Sequence, residues 1–238
     1  MTNQRSKRLP KILLGQLLVA FIIIAIALSL IFYSQGWRVN FNTFKIYKTG
    51  LLLFDSSPAP DQIYIGNNDF KGKKGFTKNL LPGSYKIKAN KSGYIEWSRE
   101  IIIKPEMVSY FNNVILIKQN IISEELTDQS KIDFLNSPDT ILVENAKDRL
   151  AFNKYEIWTE NRLITRFSEA ISNVKWYPDM LHIVYQKGDE IRIIDNDGFN
   201  DSLLVKLSSK EQTRFQIGGR GQEIYYFDSG AYKKAVIK

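Results

Sequence analysis

Ile12–Tyr33 reads ILLGQLLVAFIIIAIALSLIFY and carries no charged side chain. As an α-helix rising about 1.5 Å per residue, such a run just crosses a hydrocarbon core about 30 Å thick. Fifteen of the positions from Ile12 to Phe32 are Ile, Leu, Val or Phe. At a helix centre each of these favours insertion by about 0.3 to 0.6 kcal/mol, a sum that Gln16 and Ser29 do not reverse. Two other readings fit less well. Apolar runs of buried core helices are about 10 to 14 residues long and broken by polar positions. A cleavable leader needs a polar stretch after Ala25-Ile26-Ala27, where Leu28-Ser29-Leu30-Ile31-Phe32 stays apolar. The expectation is a single transmembrane helix over residues 12–33.

Arg5, Lys7, Arg8 and Lys11 stand immediately before the run and only Arg38 lies close behind it. The positive-inside bias therefore predicts a cytoplasmic basic tail, residues 1–11, with everything beyond the span extracytoplasmic. Phe32, Tyr33 and Trp37 fall where an interfacial aromatic belt marks the outer end. The chain has no cysteine, which rules out disulfides and a thiol-linked lipid anchor.

The net charge of +8 is uneven: residues 34–120 carry 13 basic against 6 acidic side chains, and residues 121–238 carry 16 against 19. A basic chain often points to nucleic acid, but the predicted topology removes that partner. Anionic lipid headgroups or wall polymers are the remaining class for its lysines. Lys86, Lys88 and Lys91 also read simply as the solvated face of a strand.

From Trp37 onward, short β-branched and aromatic runs alternate with Gly, Pro, Asn and Ser clusters, so the exterior reads as mostly β. Val39-Asn40-Phe41 and Phe44–Tyr47 form a hairpin that turns at Thr49-Gly50 into Leu51–Phe54. Ser56–Asp61 is a loop, and Gln62–Ile65 a strand closed by Gly66-Asn67-Asn68. After Pro82-Gly83, the run Ser84–Ala89 alternates, with Tyr85, Ile87 and Ala89 on one face. Ser92-Gly93 leads into Tyr94–Lys104, Pro105-Glu106 breaks that strand, and Met107–Lys118 ends the domain, which spans residues 34–118.

Within it, Ser56-Ser57-Pro58, Ile63-Tyr64-Ile65-Gly66, Leu80-Leu81-Pro82-Gly83-Ser84-Tyr85-Lys86-Ile87 and Lys91-Ser92-Gly93-Tyr94-Ile95-Glu96-Trp97 follow one another in the order of a PEGA-domain signature. The stretch over about residues 50–118 resembles that family. Its tetrapeptide is present only as Pro58-Ala59-Pro60-Asp61, and the usual acidic residue before Gly66 is absent. The resemblance implies a small β-sandwich outside the membrane, in the layout of bacterial envelope proteins, and supplies no catalytic residue. Trp97 is read as core, with a binding face as the alternative.

Residues 119–136 turn polar and acidic and read as a linker with one short helix. Beyond them, strand groups Arg149–Phe167, Val174–Val205 and Glu223–Ile237 recur at about 31 to 41 residues, near a propeller-blade period. The middle group, with Trp176-Tyr177-Pro178-Asp179 and Asp195-Asn196-Asp197-Gly198, is similar to a TolB-type blade, departing from it at Tyr177 and at Met180, where Gly is usual. Residues 137–238 therefore read as a partial or degenerate propeller-like domain of about two and a half blades, against the four a closed propeller needs. So few blades predict uncovered faces, with Ile193, Leu204, Tyr225 and Phe227 near open surface. They also predict association with a second copy or another envelope protein.

No catalytic, cofactor-binding or metal-binding residue is selected by motif. His182 is the only histidine, and without a G-x-S-x-G turn it reads as structural. Asp195-Asn196-Asp197-Gly198 has Phe199 and Lys206 where a calcium loop needs oxygen ligands. Gly72-Lys73-Lys74-Gly75 lacks the ending of a phosphate-cradling loop, and no carboxylate pair stands out for glycoside hydrolysis. The expectation is a mainly β, single-pass, non-enzymatic envelope protein that binds a wall polymer or envelope partner. The alternatives are an extracytoplasmic propeller-type glycan hydrolase or a sensor. In cells stripped of their wall, an external protease is expected to digest everything beyond about Trp37 while a tag at Met1 stays protected. Protection of the C-terminal region would refute the topology.

Overall fold

The computed structural model describes residues 5–40, 44–138, 149–159 and 162–238. Phe41, assigned by sequence to the leading hairpin, lies outside them. Among the described residues the protein is mainly β, with one long N-terminal helix and several open sheets. Helix α1 (Arg5–Ser34) starts earlier than the apolar run itself. Its segment Leu14–Ser34 is long and apolar enough to cross a membrane, and its side chains are exposed.

The chain divides into two compact units that interleave in sequence. The first combines 1–53, 77–85 and 101–110, and the second combines 54–76, 86–100 and 111–238. In the first, β1 (Trp37–Asn40) and β2 (Lys45–Lys48) pair antiparallel, with Trp37 opposite Lys48 and Val39 opposite Ile46. Phe44 takes φ 50° at the hairpin end.

The next strands are β3 (Gly50–Ser57), β4 (Gln62–Ile65), β5 (Asn68–Lys71), β6 (Phe76–Leu80), β7 (Gly83–Asn90), β8 (Trp97–Ile103) and β9 (Val108–Ile115). They make two sheets, ordered β6-β3-β9 and β5-β4-β7-β8. Burial alternates along β3, where Leu52 and Phe54 are buried, and along β7, where Ile87 and Ala89 are buried and Tyr85 half-buried. One face of each strand is thus apolar and covered. The Ser56–Asp61 loop is shorter than the sequence suggests, because β3 continues to Ser57. The strands β5 and β6 have too little apolar periodicity to be read from sequence. Trp97 is buried between Phe54 and Phe111, at centroid distances of 5.3 and 5.7 Å.

The remaining sheets lie in the second unit. Strands β11 (Leu150–Phe152), β12 (Glu156–Thr159) and β13 (Arg162–Arg166) form one sheet. A second comprises β14 (Ile171–Trp176), β15 (His182–Lys187), β16 (Glu190–Asp195) and β17 (Ser202–Lys206). In the third, β18 (Phe215–Gly218), β19 (Glu223–Asp228) and β20 (Ala231–Val236) are joined by β10 (Ser123–Glu125). All pairings are antiparallel, and apart from β10 the strands of each sheet follow one another in chain order.

The stretch 119–136 therefore holds more than a linker. β10 pairs with β20 through Ser123 opposite Ala235 and Glu125 opposite Lys233. Helix α2 (Gln129–Asn136) follows, capped by the Asp128 carboxylate accepting from Ser130 N. Leu126, Leu135 and Tyr225 bury one another. Just upstream, Ile115 and Ile117 join a hydrophobic core with Tyr177, Val184, Ile193, Leu204, Phe215 and Tyr226.

These contacts correct the expectation of open faces. Ile193, Leu204 and Tyr225 are buried, and only Phe227, at 39% exposure, keeps substantial contact with solvent. The covering material comes from residues 115–135, which a count of blades beginning at residue 137 omits.

Two glycines are fixed by close approach. Gly221, at φ +86°, would place a Cβ 2.0 Å from the Tyr177 hydroxyl, which donates to the Gly221 carbonyl. Gly198, at φ +88°, would place one 2.5 Å from the Ile164 carbonyl, so the β16–β17 turn packs against β13. Met180 occupies φ 59° in the turn after Tyr177, the backbone region that a glycine would adopt without strain.

Because Trp97 is an aromatic core residue, Trp97→Ala is expected to cost about 3 to 5 kcal/mol of stability. A urea titration of the full chain in detergent measures it, and an unchanged midpoint would show that the ring carries no core.

Candidate functional site

The turn Tyr177-Pro178-Asp179-Met180 between β14 and β15 is closed by Met180 N donating to Tyr177 O and Tyr177 N donating to His182 O, both at 2.9 Å. Asp179 Oδ1 accepts from Leu181 N at 2.8 Å and His182 N at 3.2 Å. Its Oδ2 lies 2.8 Å from His182 Nδ1. The far side of the ring faces the next strand, with Nε2 3.3 Å from Asp195 Oδ1 at the end of β16. Each ring nitrogen thus meets a carboxylate, an arrangement that only the doubly protonated imidazolium satisfies on both sides.

Asp195 is shared. Its Oδ2 accepts from Asn200 Nδ2 at 2.8 Å and from Arg99 Nη1 at 3.3 Å. Arg99, on β8, also pairs through Nη2 with Asp197 Oδ2 and lies over the Phe199 ring at 4.6 Å. His182, Arg99, Asp179, Asp195 and Asp197 form a cluster in which the His182, Arg99 and Asp195 side chains are 8, 16 and 14% exposed. Charges this poorly hydrated need close partners, since isolated burial costs several kcal/mol per ion. A cavity of about 20 Å³ adjoins the cluster, bordered by Trp97, Ile117, His182, Ile193, Asp195 and Ser202.

Burial opposes the imidazolium, but the hydrogen bonds to Asp179 and Asp195 and their negative charge outweigh it. The His182 pKa is thereby raised to about 9. Burial likewise depresses the Arg99 pKa, with Asp195 acting in the other direction. At neutral pH the ring is a cation with both N–H groups donated, so it has no lone pair with which to accept a proton.

On the other side of Asp179 opens a groove of about 310 Å³, within the usual range of ligand clefts. Ser57, Asn113, Tyr177, Arg220 and Lys238 border it. Lys238 Nζ stands 5.4 Å from the Tyr177 ring centroid, and burial holds its pKa below the usual lysine value, with Asp179 opposing. Arg220 is exposed, at φ 55° in the turn joining β18 to β19. Two cations, the Asp179 carboxylate and neutral hydrogen-bonding groups thus converge over the buried Tyr177.

The structure brings together several residues that the sequence offers separately. His182, Asp195, Asp197 and Trp97 border one cluster and its cavity. The Gly72–Gly75 loop lies elsewhere as the β5–β6 connection, with Gly75 N donating to Asp55 Oδ1 at 3.1 Å. Lys86 is exposed, whereas Lys88 and Lys91 pair with Glu96 at 2.8 Å and Asp61 at 3.3 Å. Sequence reasoning missed Arg99, Asp179, Arg220 and Lys238, and the polar turn after Trp176 was the one local signal for Asp179. Among the described residues, no three or more His, Asp or Glu side chains are arranged to hold a metal ion.

Comparison of the chain with family models, curated proteins and solved structures finds no match.

The folded pKa of His182 lies above the unfolded value of 6.5. Its contribution is therefore complete below about pH 6.5 and lost as pH rises through about 9. The loss amounts to about 3 kcal/mol. Urea midpoints taken from pH 6 to 10 are expected to fall along this window, and His182→Gln is expected to flatten that part of the profile. A wild-type profile parallel to the variant's would show that the cluster does not hold a proton.

Proposed function

We propose that this protein is a non-enzymatic envelope protein, held by α1 as a single span with its N-terminus in the cytoplasm. In this reading, residues 34–118 form a PEGA-like β-sandwich and the sheets from β11 to β20 are degenerate propeller blades. Together they present an extracytoplasmic surface that binds a wall polymer or another envelope protein. The observation that carries the reading is the groove beside Asp179, where Arg220 and Lys238 flank Tyr177. Two cations bordering a groove suit an anionic polymer of sugars or polyols, whose phosphate or carboxylate groups take charge-assisted hydrogen bonds. The exposed, apolar Leu14–Ser34 segment supports the anchor. The engaged imidazolium of His182 supports a binding role over proton transfer, since the only histidine is already committed.

Co-sedimentation of the detergent-solubilised full chain with isolated cell walls tests the proposal, with purified anionic wall polymer as competitor. Charge-assisted hydrogen bonds contribute about 1.5 to 3 kcal/mol each, so Arg220→Ala combined with Lys238→Ala is expected to weaken binding at least about tenfold. Binding that is absent, or indifferent to this pair, would refute the groove as the site.

A further inference from the structure

The end of α1 is fastened to the first β elements by a continuous series of hydrogen bonds. Gly36 N donates to Tyr33 O at 3.2 Å, Thr49 N to Gly36 O at 2.9 Å, and Glu106 N to Thr49 O at 3.0 Å. Leu51 N donates to Met107 O at 2.9 Å, and Lys48 pairs with Glu106. Arg38 adds a bond from Nη1 to Tyr33 O at 2.8 Å, and its guanidinium lies 3.6 Å from the Tyr33 ring centroid. Phe32 and Trp37 meet edge to face at 6.3 Å. The β1–β2 hairpin and the 104–108 turn, all within the first compact unit, are therefore tied to the helix end instead of trailing from it.

Among the described residues, these fastened elements leave apolar side chains largely exposed. Val39 is 46% exposed, Ile46 63%, and Met107 and Val108 55% each. Lys45 and Lys104 stand exposed beside them. Ile46 lies two residues along β2 from Lys48, the partner of Trp37, so at about 3.4 Å per residue it is about 7 Å from that pair. The interfacial layer outside the hydrocarbon core is about 5 to 8 Å thick on each side. Elements bound this closely to the helix end share the depth of that layer.

We infer that the hairpin and the 104–108 turn form a collar seated in the headgroup layer of the bilayer that α1 crosses. Val39, Ile46, Met107 and Val108 enter the acyl boundary, and Lys45 and Lys104 meet lipid phosphates. The inference rests on the membrane-anchor reading above and adds a second contact with the same bilayer. It gives the exposed apolar residues one occupant, chosen by continuity with α1 and by the lysines beside them.

The absence of cysteine makes single-label measurements clean. Full-length Leu30→Cys, Ile46→Cys and Met107→Cys, each carrying an environment-sensitive fluorophore, are placed in nanodiscs with and without bromine on the lipid acyl chains. Quenching at all three sites, deepening at 46 and 107 when anionic lipid replaces zwitterionic lipid, is the expected result. Quenching at Leu30 with water-like emission at either collar site would overturn the collar while leaving the anchor intact. No quenching at Leu30 would sink the anchor and the collar together, and quenching indifferent to lipid charge would remove the lysines from the contact.

Discussion

Each antiparallel sheet in this chain has apolar residues that must be kept from water and strand edges whose N–H and C=O groups need partners. The sheet β18–β20 illustrates how strongly the rest depends on that requirement. Without β10 it would have three strands and an open edge at β20, and without Leu126 and Leu135 the ring of Tyr225 would face solvent. The cover arrives from a stretch that is polar, acidic and short. Ile115 and Ile117 then extend one hydrophobic core from β9 into the later sheets. Lys118 N donates to Ile237 O at 3.0 Å, and Ile95 N to Ile117 O at 2.8 Å, so the segment after β9 is bonded on both sides.

The ionic cluster at His182 solves a different problem in the same region. Five charged side chains from β8, the β14–β15 turn, β15, β16 and the β16–β17 turn lie partly or wholly out of water. Their arrangement is tolerable because nearly every charge has an opposite charge within about 3.3 Å. Replacing one member leaves its partners buried and uncompensated, which costs more than the pair gains over a hydrophobic substitute. Such a cluster specifies geometry: it sets the Asp179 turn, and that turn forms one wall of the groove bordered by Tyr177, Arg220 and Lys238.

At the opposite end of the sequence, the chain leaves α1 without a linker. The bonds from Tyr33 through Gly36 and Thr49 to Glu106 hold the first β elements, with the exposed Ile46 and Met107, to the helix end. A flexible tether would have left them free to aggregate. The lysines beside them favour a surface of opposite charge.

Residue patterns alone determined the apolar helix, the β character of the chain beyond it and most of its strands. Those features follow from near-neighbour chemistry: an uncharged run, period-two alternation in Ser84–Ala89, and turn residues such as Gly66 and Gly83. The readings that required distant partners did not follow. β5 and β6 are polar strands whose identity comes from the neighbours they pair with, and β10 exists as a strand because β20 accepts it. His182 was visible as the only histidine, but its charge state depends on Asp179 three residues away and on Asp195 across a strand pair. Arg99 joined them from β8, with no motif to announce it. Local sequence thus determined the long helix and the apolar, alternating strands, whereas the tertiary structure decided which polar segments become strands, which edges are covered and which charges meet, because those depend on residues far apart in the chain.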